Sequence, residues 1–181
     1  APALRGAPPA SKPRLQLRLP TERYYEEEGR AELTPRDFGI LMHRVFENAA
    51  TTDEIYMAIE AMTQDGVLDE KEAPRLRELV EKALADPVTA EWFGGRWQVV
   101  RNENEIILPG SGTTRRPDRV MTDGERAVVV DYKFGDRETA RHRKQIREYL
   151  RLLRQMGYTR TEGYLWYVRL GRTERVEEKE D

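Results

Sequence analysis

Three ionisable side chains in the middle of the chain have the types and spacing to act on a phosphate. Asp118 follows Pro117, and after twelve intervening residues come Asp131, Tyr132 and Lys133. The chain between them reads as a β-hairpin, because Asp123-Gly124 separates two runs rich in β-branched residues. Alternate side chains of a strand share a face, so Val129, Asp131 and Lys133 point one way and Val130, Tyr132 and Phe134 the other. A carboxylate and an ammonium thus lie side by side at the end of an apolar strand. Such a strand is normally buried, where a charge is costly unless paired or bound to a metal. Asp118, on the neighbouring strand, brings a second carboxylate to the same spot. Two carboxylates close enough to repel suit a divalent cation with hard oxygen ligands, Mg²⁺ or Mn²⁺. The lysine would orient or help deprotonate an attacking water, or neutralise charge growing on a phosphate. The plainer alternative is an Asp131–Lys133 ion pair on an edge strand, worth under about 1 kcal/mol.

The elements that must position these residues follow from periodicity and punctuation. Thr34-Pro35-Arg36-Asp37 is a helix start, with Thr34 placed to cap and Pro35 at the first helical position. Phe38, Leu41, Met42, Val45 and Phe46 then form a core-facing stripe. His43 falls at the margin of that stripe, on the side of Gly39 and Glu47, and Gly39 suggests close approach of another backbone. Residues 52–64 and 69–85 read as two more helices, followed by a turn from Pro87 to Phe93. Trp92, Phe93 and Trp97 suit core packing, with base stacking as the alternative. Strands are expected around 97–108, 113–121, 126–134 and 163–170, with a final short one over 173–176. A long helix opens at Asp136, runs to about Met156 and carries Ile146, Tyr149, Leu150 and Leu153 on one face. Strand, long helix, strand requires a parallel crossover. The expected fold class is therefore α/β, a mixed β-sheet flanked by helices with an additional N-terminal helical portion.

Four motifs in order give this pattern its specificity: Gly39-x-x-x-His43, Pro117-Asp118, Asp131-Tyr132-Lys133 and Gln145-x-x-x-Tyr149. Over about residues 34 to 170 the chain resembles the PD-(D/E)XK nuclease superfamily. More narrowly, it resembles the RecB-like nuclease domain at the C-terminus of UvrD-type helicases and AddA subunits. The resemblance implies a restriction-endonuclease-like core and metal-dependent hydrolysis of single-stranded DNA or DNA ends, an exonuclease in preference to an endonuclease. It further implies DNA repair and recombination as the setting, with a helicase motor in cis. It implies Asp118, Asp131 and Lys133 as catalytic residues. His43, Asp118, Asp131 and the Tyr132 backbone carbonyl would hold Mg²⁺ or Mn²⁺. Gln145 and Tyr149, one helical turn apart, would help hold DNA. RecB-like domains often place a further glutamate in the segment before Asp118; Glu103 matches best, Glu105 competes, and a solvated turn carboxylate is the alternative for either.

Composition bounds what remains. The net charge is only −2 over 181 residues, so any case for nucleic acid rests on local charge. The long helix carries Arg137, Arg141, Arg143, Lys144, Arg147, Arg151 and Arg154, and Arg115, Arg116 and Arg119 lie near the site. Arg116, Arg141 and Lys144 are the chosen phosphate contacts; a solvated helix face is the alternative. No Gly-x-x-x-x-Gly-Lys-Ser/Thr run is present, so an ATP-driven motor would lie elsewhere. Zero cysteines exclude disulfides and a cysteine-held iron–sulfur cluster. No apolar run is long enough to span a membrane. The chain opens on Ala1 without an apolar signal region and reads as a fragment of a cytoplasmic protein. Residues 1–20, rich in Ala, Pro and Arg, read as a linker or tether, 21–176 as the nuclease-like domain and 177–181 as an acidic tail. A catalytically silent DNA-binding or interaction module attached to a helicase is the alternative function.

Overall fold

The capping residue Thr34 opens the first helix. The computed structural model describes residues 33–102, 106–107, 114–135 and 140–178. The Thr34 hydroxyl accepts from the Asp37 amide at 3.2 Å while the Asp37 carboxylate accepts from the Thr34 amide at 2.8 Å. This reciprocal box opens helix α1 (Pro35–Glu47), whose Phe38, Leu41, Met42, Val45 and Phe46 are buried. Helices α2 (Thr52–Gln64) and α3 (Ala73–Ala83) follow as expected. The expected turn at Pro87 is instead a short helix, α4 (Pro87–Trp92), because Asp86 caps the Val88 amide at 2.8 Å and Pro87 takes the first helical position.

Strands β1 (Val99–Asn102), β4 (Arg119–Asp123), β5 (Arg126–Lys133), β6 (Arg160–Tyr167) and β7 (Arg172–Arg175) form one sheet in the order β1-β4-β5-β6-β7. Strands β2 (Ile106–Ile107) and β3 (Thr114–Arg115) pair separately. Of the hairpin or bent strand expected through Asn102–Glu105, β1 lies in the main sheet and β2 in the two-stranded one, and residues 103–105 lie outside the described region. All pairings in the main sheet are antiparallel except β5 with β6, which is parallel. That parallel pair is bridged by helix α5 (Ala140–Gln155), the crossover demanded by the sequence pattern. Residues 136–139, where the helix was expected to open, lie outside the described region. The hairpin turn is shifted by one residue from expectation. Asp123 pairs with Arg126 inside the ladder, and Gly124 takes the left-handed conformation at φ 57°.

The period-two pattern of β5 divides the interior into two cores. Val128, Val130 and Tyr132 pack with α1, α2, α3 and Trp92, Phe93 and Trp166. Ala127 and Val129 pack with Ile146, Tyr149, Leu150 and Leu153 of α5. Trp92 and Phe93 are thus core residues, and their stacking alternative is not met. Helix α5 approaches β6 closely at Gly163, where a β-carbon would collide with Ile146 Cγ2 and reach 3.2 Å from Leu150. Gly39, by contrast, faces the Phe134 side chain rather than a backbone; an added β-carbon would stand 3.4 Å from Phe134 Cβ.

Candidate active site

The ladder places the first acid. Arg119 pairs with Val130, so Asp118, one residue before, stands beside Asp131 at the point where β4 begins. The Asp118 carboxylate finishes the ladder by accepting the Tyr132 amide at 2.5 Å. On β5, Asp131 is 4% exposed and forms an ion pair with Lys133. His43, reaching from α1, brings its Nε2 to 3.9 Å from Asp118 Oδ1, and its ring meets Phe134 edge-on at 5.4 Å. The structure therefore gathers Asp118, Asp131, Lys133 and His43, supplied by a strand end, a strand and a helix from both sides of the sheet.

Electrostatics set these groups apart from an ordinary ion pair. Burial raises Asp118 first and the neighbouring Asp131 charge raises it further, so its carboxyl stands at about 7 despite the Tyr132 amide and Lys133. Two carboxylates in one buried place are thus served by a single lysine. Among the described residues no group of three or more His, Cys, Asp or Glu side chains is gathered as a metal cluster. The donors still fit a hard divalent cation, which uses one or two carboxylates and completes its shell with waters and phosphate oxygens. The structural sign of that fit is the crowding of Asp118 and Asp131 around the single Lys133, which added positive charge would relieve.

The chain's sequence matches the family model described as the PD-(D/E)XK nuclease superfamily over residues 14–181. The chain belongs to that superfamily. A search of curated proteins found no match. Superfamily membership implies nuclease activity, of a kind that generally uses divalent metals such as Mg²⁺, and the mixed sheet flanked by helices is consistent with the restriction-endonuclease-like core. Among the described residues no helix is long and apolar enough to cross a membrane.

Other expected site residues fare differently. Gln145 Nε2 donates to the Tyr149 hydroxyl at 2.9 Å, and the Tyr149 ring is buried in the α5 core, so this pair is already engaged with itself. Arg116, Arg141 and Lys144 are exposed, as phosphate contacts must be. Glu103 and Glu105 lie outside the described residues. The basic face of α5 is partly neutralised: Arg143 pairs with Glu174 at 2.5 Å and Arg154 with Glu178 at 2.9 Å.

Arg119 overturns its expected role in the basic cluster. Its side chain is 0% exposed, and it donates to the Ala49 carbonyl at 2.6 Å, the Ala50 carbonyl at 2.8 Å, the Trp92 carbonyl at 2.7 Å and Asn102 Oδ1 at 3.0 Å. Its guanidinium lies over the Phe93 ring at 4.0 Å. The cause is register: Arg119 shares the face of Val130, which is the face covered by the helices. A planar guanidinium can serve several helix-end carbonyls at once, which a lysine cannot.

One residue escaped the sequence reading. His142, one turn before Ile146 on α5, feels both Lys133 and Asp131. Burial and then Lys133 lower its pKa, while Asp131 opposes them. Its Nδ1 is buried and has no hydrogen-bond partner among the described residues. The only signal in the sequence was its place one turn before Ile146 on the apolar face, which carries no chemical meaning until the crossover helix is docked.

Proposed function

We propose that this chain is the RecB-like nuclease domain of a helicase-nuclease of the UvrD or AddA type, acting in DNA repair or recombination. Its reaction would be divalent-metal-dependent hydrolysis of phosphodiesters in single-stranded DNA or at duplex ends, with exonuclease action preferred to endonuclease action. The observation that carries this reading is the meeting of Asp118, Asp131 and Lys133 at one sheet end, with His43 at 3.9 Å from Asp118.

Asp118, Asp131, His43 and the Tyr132 carbonyl would hold the cation. When bound, it supplies Lewis-acid stabilisation of the charge that accumulates on the phosphate. The protein's own groups account for positioning. The Tyr132 amide fixes the Asp118 carboxylate, and Asp131 fixes the Lys133 ammonium. Lys133 would donate to the attacking water and set its line of approach to phosphorus. Arg116, Arg141 and Lys144 would contact flanking phosphates, and Gln145 with Tyr149 would stabilise the strand beside them. Single-strand affinity is then expected to fall steeply from low to physiological salt, and a flat profile would count against this basic surface.

A second reading, a catalytically silent DNA-binding or interaction module, is favoured by the lack of a three-residue metal cluster among the described residues. Hydrolysis of linear and circular single-stranded DNA, with Mg²⁺ or Mn²⁺ and with EDTA, separates the two. Cleavage that needs the metal and disappears in Asp131→Ala supports the nuclease reading. Undiminished metal-dependent cleavage by that variant overturns the site.

A further inference from the structure

We infer that the groove between α1, α3 and the turn after β6 is a strand-binding subsite for the nucleic acid, continuous with the reacting centre; this rests on the nuclease reading above. The groove encloses about 450 Å³. Phe38 and Leu79 contribute to its apolar wall, and among the described residues that line it Arg75, Lys82 and Arg169 are the charged ones, with no carboxylate. The Arg75 guanidinium sits over the Phe38 ring at 4.5 Å, which holds it at the rim. Lys82 also pairs with Glu78 at 2.7 Å, one turn back on the exposed side of α3.

Spacing argues for a polyanion rather than a compact anion. Arg75 and Lys82 are seven residues apart on α3, so they share a face about 10 Å apart along the axis. Arg169 faces them from another element. No small dianion spans such a set, whereas phosphates recurring along a strand can. An apolar wall beneath separated cations suits the alternation of sugar and base with phosphate.

Location decides in favour of nucleic acid over an acidic peptide. Gly39 lines the groove and stands one turn before His43 on α1. Phe134, which packs against Gly39, directly follows Lys133. Lys133 pairs with Tyr167, and the turn Val168–Leu170 that forms the other wall begins at the next residue. The groove and the catalytic groups therefore share the sheet end where β5 and β6 finish. A strand held with its scissile phosphate at Asp118 and Asp131 would enter this groove within a few nucleotides.

The test compares wild type with Arg75→Gln/Arg169→Gln, which removes both charges and keeps polar side chains, and with Lys82→Gln, whose side chain is 69% exposed and removable without loss of core. Fluorescence anisotropy with an oligothymidylate of about 12 nucleotides, in EDTA, reads the salt dependence. The double variant should lower the slope of log affinity against log salt by about 1.4, and Lys82→Gln by about 0.7. Kinetics with Mn²⁺ read the second consequence: KM should fall from a dinucleotide to the longer oligomer in wild type, and this gain should shrink about tenfold in the double variant. Unchanged slopes and an intact length gain, in variants that still cleave with metal, overturn the subsite and leave the groove to an acidic peptide. Absence of metal-dependent cleavage in wild type would instead remove the nuclease reading itself.

Discussion

The two ends of β5 hold the same inventory of charge and treat it in opposite ways. At the N-terminal end, Arg126 serves two carboxylates, meeting Glu91 at 2.7 Å and Glu162 at 2.9 Å. At the other end, Lys133 also serves two, Asp131 and, more remotely, Asp118. Burial works to raise Glu162, but hydrogen bonds from Arg126 and Tyr164 outweigh it and hold the carboxyl below its usual range. Burial raises Asp118 as well, and there the adjacent Asp131 adds to it, up to about 7. The difference is geometric. A guanidinium fork reaches two carboxylates that stand apart at a wetter edge, while the two aspartates are crowded together around one point charge. The first arrangement is complete, and the second is short of positive charge; only the second has a reason to recruit a cation.

The largest test of that contrast is catalytic. Asp118→Asn should lower metal-dependent cleavage by about 10³-fold, whereas Glu162→Gln should leave it within about twofold; single-turnover rates decide, and equal losses would erase the distinction between the ends. Stability comes next. Arg119→Ala removes the donor from three backbone carbonyls and should cost about 3–5 kcal/mol in urea unfolding, against under about 2 kcal/mol for the two partly exposed pairs lost in Arg126→Ala. A small cost at Arg119 would mean that the helix ends find other partners. The subtlest test is pH in EDTA. Asp118 has a folded value of about 7 against 3.8 unfolded, so its contribution to stability is present at low pH and drains away as pH rises through about 7. Glu162, held low, contributes in the opposite sense, and its share is lost as pH falls. The melting temperature of Asp118→Asn relative to wild type should therefore climb between about pH 4 and pH 7, and a constant offset would refute the crowding of the two aspartates.

The hairpin was legible because its evidence is local. Alternation in Val128-Val129-Val130-Asp131 sorts side chains onto faces whatever the tertiary structure, and the clusters on either side of β5 follow that sorting. The capping box at Thr34 is similarly self-contained. What was misread depended on what covers a surface. Arg119 looked like one more cation in a basic run because nothing nearby in sequence reveals that its face lies beneath the ends of α1 and α4. Gly39 pointed to a close neighbour without saying that it would be a phenyl ring. Helix α4 reads as a turn because six residues are too few for periodicity to speak, although Asp86-Pro87 is a fair capping signal.

The plug formed by Arg119 also explains what α4, which carries no reactive group, contributes to a site it does not touch, and why the end of α1 matters beyond its histidine. Because its four hydrogen bonds reach Ala49, Ala50, Trp92 and Asn102, the peptide unit next to Asp118 is indexed by chain segments from distant parts of the sequence. Cutting the domain back to its sheet would strand that guanidinium among absent acceptors and let the first acid drift. The smallest fragment able to keep its reactive geometry must therefore begin no later than α1.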